Sequence, residues 1–193
     1  MQSRRLSLLV AAIALVPAAA LAHAGHAGHE ALGFLAGFAH PFTGADHMLA
    51  MTAVGLWAAL RGGRAIWAWP AAFVAAMLGG FLMGQGGTAP FVEPAILASV
   101  IVLGALVAAQ AIVPLAPGAL LIAAFGLAHG WAHGAETPLA TGGFPLGFVV
   151  ATVALHLIGL AAGSGLQRLR RPALLRLLGA GAAAGGVLLA VAG

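Results

Sequence analysis

An all-α protein that crosses a membrane several times is the fold class this chain predicts, and three observations carry the prediction. Hydrophobic residues fill 62% of its 193 positions and charged residues only 6%. A soluble domain of that size needs a charged exterior, which this composition does not supply. Second, the apolar residues come in runs near the length of a helical span, separated by short Gly, Pro and Arg clusters; a β-barrel would instead alternate in strands of about ten residues. Third, all eight basic residues are Arg, and six of them flank the runs, where they set orientation. The net charge of +4 is therefore read as topology and lipid contact, not as a nucleic-acid footprint. The chain has no cysteine, which excludes disulfides and thiolate metal sites.

Arg4 and Arg5 precede an apolar stretch from Leu6 to Val16, then Pro17 and the triplet Ala20-Leu21-Ala22. That order matches a cleavable secretory signal peptide over residues 1–22, with an uncleaved first helix as the alternative. Cleavage leaves a tail at 23–30 in which His23, His26 and His29 recur with Ala and Gly. It is too short and Gly-rich to hold a fold, and it is suited to gathering cations at the outer mouth.

Six apolar segments make up a transmembrane domain over 31–193. The first, about 31–60, is overlong for one span and is expected to break at His40-Pro41. The others run over about 65–85, 94–113, 117–133, 145–163 and 173–192. Short linkers make consecutive helices antiparallel neighbours. With the mature N-terminus outside, the loop arginines fall inside and Glu30, Glu93 and Glu136 outside, in agreement with the positive-inside rule. That orientation suits a bacterial inner membrane with a periplasmic N-terminus. Small-residue pairs four apart (Gly80 and Gly84, Gly126 and Gly130, Gly159 and Gly163, Gly181 and Gly185) imply close helix packing, homo-oligomer contacts included.

Two motifs carry the chemistry. In His40-Pro41-Phe42-Thr43-Gly44-Ala45-Asp46-His47, non-helical backbone at membrane depth implies a cavity, because only protein or water can satisfy it there. His40 lies on one side of the break, Asp46 and His47 on the other. Arg61 is fourteen residues beyond His47, about 21 Å of helix, which puts His47 in the outer part of the bilayer. A helix-start capping box between Thr43 and Asp46 is the structural alternative. In His129-Gly130-Trp131-Ala132-His133-Gly134-Ala135-Glu136, the two histidines and Glu136 form one helical stripe at a level comparable to His47. Such a stripe can chelate a cation, or can simply be a polar helix end in water. His156 falls near the midplane as a deeper station or a packing residue. Glu93, in an outward loop, joins an acidic funnel or is merely solvated.

These motifs resemble the HupE/UreJ family. The H-P-x-x-G-x-D-H pattern at His40 to His47, the H-G-x-A-H-G-x-E pattern at His129 to Glu136, the signal peptide and the six spans carry the resemblance over nearly the whole mature chain. It implies a nickel permease, with cobalt as the other cargo, that supplies hydrogenase or urease maturation. It also implies no tightly bound cofactor, no enzymatic activity and only indirect partnership with maturation factors. His40, Asp46, His47, His129, His133 and Glu136 match the family's signatures, while Glu93, His156 and the tail histidines come from the residues alone. Two rival readings are a membrane haem protein with paired histidine ligands and an intramembrane hydrolase built on Ser164 and His156.

Overall fold

A computed structural model describes residues 33–137 and 143–192. The expected signal peptide and the histidine tail lie outside the described residues. Within them the chain is helical, with no strand: α1 (Phe34–Ala39), a 3-10 turn (His40–Phe42), α2 (Ala45–Arg61), α3 (Ala65–Gly84), α4 (Val92–Ala108), α5 (Leu115–Glu136), α6 (Phe144–Arg168) and α7 (Pro172–Ala192). Helices α3, α5, α6 and α7 are long and apolar enough to cross a membrane, and α4 is a shorter apolar helix. A polytopic membrane protein is thus what the chain builds.

The first apolar segment breaks where proline requires it. Pro41 sits in the 3-10 turn, and the Thr43 hydroxyl donates to the His40 carbonyl at 2.7 Å. Gly44, extended at φ −101° and ψ 121°, then starts α2. The Thr43–Asp46 capping box does not form: the threonine hydroxyl is engaged upstream, and Asp46 turns to His47 instead. A side chain at Gly44 would run into the Asp46 carboxylate and the His47 ring, so this glycine makes room for that pair.

Two helix ends differ from the sequence reading. The third segment stops at Ala108, short of Val113, because Gln110 swings into the left-handed region at φ 53° and Ala111 bonds back to Leu106 at 2.9 Å. Helix α6 runs on to Arg168 before Arg170 adopts the same conformation at φ 52°. Each costs about 1 kcal/mol or more relative to glycine. At the end of α2 the chain does use glycine, Gly62 at φ 66°.

The larger correction concerns neighbours. Consecutive helices are not the main partners: α3 packs most extensively on α5, α2 on α6 and α4 on α7. The first two pairs run parallel. Gly80 and Gly84 lie against the backbone of α5 at Leu127 and Trp131, while Gly126, Gly130 and Gly134 lie against α3 at Phe73, Met77 and Phe81. Gly55 and Gly159 mesh α2 with α6 in the same way. Without a hydrophobic drive between helices in lipid, such backbone proximity is what holds them, and glycine position outweighs linker length. Three of the four glycine pairs read from the sequence pack this way. Gly181 faces open space instead.

All six arginines of the described residues collect at one end, around the α2–α3, α4–α5 and α6–α7 connections. Arg61 donates to the Val113 carbonyl and Gln167 to Ala59, both at 2.9 Å, lashing those connections together. Asp46, Glu93 and Glu136 stand at the opposite end.

Candidate metal centre

The start of α2 and the last turns of α5 meet at the acidic end, and they bring the two motifs together. Nε2 of His47 lies 2.6 Å from Nε2 of His133. The ring of His129 meets His47 edge-on with centroids 5.0 Å apart, and His40 meets His133 edge-on at 4.7 Å. His129 and His133 are buried, His47 nearly so, and His40 half-buried. Phe148 of α6 covers His133 at a centroid distance of 4.2 Å, and Phe144 flanks His40.

Proton positions follow from the partners. Asp46 Oδ1 lies 2.7 Å from Nδ1 of His47 and also accepts the His47 backbone N–H at 2.8 Å. A carboxylate only accepts, so Nδ1 of His47 carries the proton and Nε2 presents a lone pair. Ser99 donates its single hydroxyl proton to the Ile96 carbonyl at 2.6 Å. Its contact with His129 Nε2 at 3.0 Å must then be donated by the histidine. This leaves Nδ1 of His129 as a lone pair, buried and without a hydrogen-bond partner. Nδ1 of His133 also has none, with the Glu136 carboxylate 3.9 Å away. Donor atoms of His40, His133 and Glu136 lie within 4.8 Å of one another. An imidazole nitrogen and a carboxylate facing each other across such a gap form a seat for a cation, and this N/O donor set suits Ni, Co, Zn or Cu(II).

Glu136 stands at the exposed rim, with 62% of its side chain accessible. His156 is buried deeper in α6, and neither of its ring nitrogens has a hydrogen-bond partner. The Phe73 ring lies between it and the cluster, 5.1 Å from His156 and 5.5 Å from His129. Glu93 is exposed in the first turn of α4, apart from the ligand group. Trp131 turns away and donates to the Gly87 carbonyl at 2.8 Å. Ser99 and Phe148 were not singled out from the sequence. Ser99 had a signal, as a lone hydroxyl in an apolar span, but Phe148 had none. The facing nitrogens of His47 and His133 leave no slot for a macrocycle between them, which weighs against the haem alternative.

The profile of a family described as HupE / UreJ protein matches residues 10–189 and so spans both motifs. Protein HupE of Rhizobium leguminosarum bv. viciae is 49% identical over 84 residues, which are 44% of this chain and 42% of that protein. The matched stretch thus spans under half of that relative's length. No solved structure matches.

Proposed function

The chain belongs to the HupE/UreJ family, and from that premise we propose that it imports a divalent transition-metal cation, Ni²⁺ foremost and Co²⁺ next, across a bacterial inner membrane for hydrogenase or urease maturation. The observation that carries this reading is the convergence of His47 and His133, with the lone-pair nitrogen of His129 buried beside them. Buried polar side chains in a membrane bundle are expensive, and unpartnered ones suit a passing ligand. His40, His133 and Glu136 form the outer station, and His47, His129 and His133 the inner one. His133 serves both, one ring nitrogen to each. His156 is the station beyond Phe73. The tail histidines and Glu93 gather cations outside. Incomplete sites release readily, as conduction requires. With the mature N-terminus periplasmic, a divalent cation moving inward gains about 4.6 kcal/mol per 100 mV of membrane potential.

Radiolabelled uptake by cells expressing the protein, with Ni²⁺, Co²⁺ and Zn²⁺ compared against a vector control, tests the function. Accumulation equal to the control for every metal would overturn it. Asp46 acts through His47, as a positioning residue. Asp46→Asn is expected to weaken apparent metal affinity about 10–100-fold, the usual cost of losing the partner that orients a ligand histidine. Maximal rate should change less. Affinity unchanged in a well-expressed Asn variant would remove Asp46 from the site.

A further inference from the structure

At the basic end, an open cavity of about 230 Å³ lies where the ends of α4 and α6 meet the start of α7. Gln110, Gln167, Arg170 and Arg171 line it, with Pro172 and the buried Leu175. Among the described residues, just two non-glycine positions have a positive φ, Gln110 and Arg170, and both line this one cavity. Each ends a helix with the same paired backbone bonds. The amides of Gln110 and Ala111 return to Val107 and Leu106, and those of Arg170 and Arg171 return to Gln167 and Leu166. Glycine is the usual residue at such a helix end. This chain has 29 glycines and places one at the end of α2, yet here it keeps a glutamine and an arginine in a conformation that disfavours side chains. Retained backbone strain points to a use for the side chain.

We propose that this cavity binds a phosphate group, carried by an anionic phospholipid of the arginine-rich leaflet. Two guanidiniums offer forked donors suited to phosphate oxygens, and the Gln110 and Gln167 amides add further donors. The described residues place no carboxylate at this end to compete. Leu169, beside Arg170 and 61% exposed, gives an acyl chain an apolar surface next to the cavity. Basic pockets between helix ends at a membrane interface take such headgroups. Orientation alone explains why arginines lie at this end, but not why two side chains are held in left-handed backbone around a cavity.

The test uses the purified full-length protein in neutral detergent, with thermal unfolding followed while phosphatidylglycerol or phosphatidylcholine is titrated into the micelles. Phosphatidylglycerol is expected to raise the unfolding midpoint and phosphatidylcholine to leave it unmoved. The double variant Arg170→Gly/Arg171→Ala keeps a backbone that glycine favours, so its midpoint in detergent alone should match or exceed wild type. It should nevertheless need about thirtyfold more phosphatidylglycerol for half the shift, at roughly fivefold per arginine. Arg64→Ala, which removes an exposed arginine at the same end but outside the cavity, should leave half-saturation unchanged. Undiminished response in the double variant, an equal loss in Arg64→Ala, or an equal shift from phosphatidylcholine would each overturn the proposal. An equal shift from inorganic phosphate at matched concentration would assign the cavity to a free anion and overturn the lipid as its source.

Discussion

Replacing His133 with alanine is expected to lower transition-metal uptake by about 100-fold or more. The expectation rests on one ring in two places: its Nε2 meets Nε2 of His47 at 2.6 Å, while its Nδ1 is 3.9 Å from Glu136 and has no hydrogen-bond partner. Losing an outer-shell partner alone costs 10–100-fold, and a ligand shared by two stations should lie at or beyond the top of that range. Glu136→Gln, at the exposed rim, should cost far less. Uptake measured in cells with matched protein levels decides the matter. Equal losses in the two variants would mean that burial and sharing are irrelevant, and near-normal uptake in His133→Ala would remove the centre from the pathway.

The second large effect concerns packing. Gly130 and Gly134 alternate with His129 and His133 along α5, so one face touches α3 while the other aims the imidazoles. A Cβ at Gly130 would overlap the Met77 backbone, which cannot yield as a side chain tip can. Gly130→Val should therefore destabilise the bundle by about 3 kcal/mol or more, the upper end for overpacking. Thermal unfolding of the detergent-purified variant should show a markedly lower midpoint, or no folded protein should be recovered. Gly181→Val, at a position facing open space, is the control and should unfold like wild type. If both variants behave alike, the glycine contacts do not hold α3 to α5.

Much of this was legible in the sequence. Apolar runs located six helices, Pro41 located the break, and the distance from His47 to Arg61 put the first motif near the level of the second. Those readings depend on local chemistry and on helical rise, which a single segment states by itself. Helix partnership was not legible. Linker length suggests consecutive neighbours, yet Gly55, Gly80 and Gly130 sit where backbones touch across non-consecutive helices. The role of Asp46 was also hidden, because Thr43 and Asp46 have the spacing of a cap and only the backbone direction shows the carboxylate turned to His47. Gln110 and Arg170 gave no sign of left-handed backbone, since neither residue type favours it.

Spacing between the two facing ring nitrogens has a mechanical consequence. At 2.6 Å they are a single proton apart. A metal bound to both at about 2.0–2.1 Å would hold them about 2.9–3.4 Å apart, depending on its coordination angle. One ring rides on α2, interlocked with α6, and the other on α5, interlocked with α3. A cation replacing that proton would therefore act as a wedge, spreading two stiff halves of the bundle by a fraction of an ångström at the acidic end.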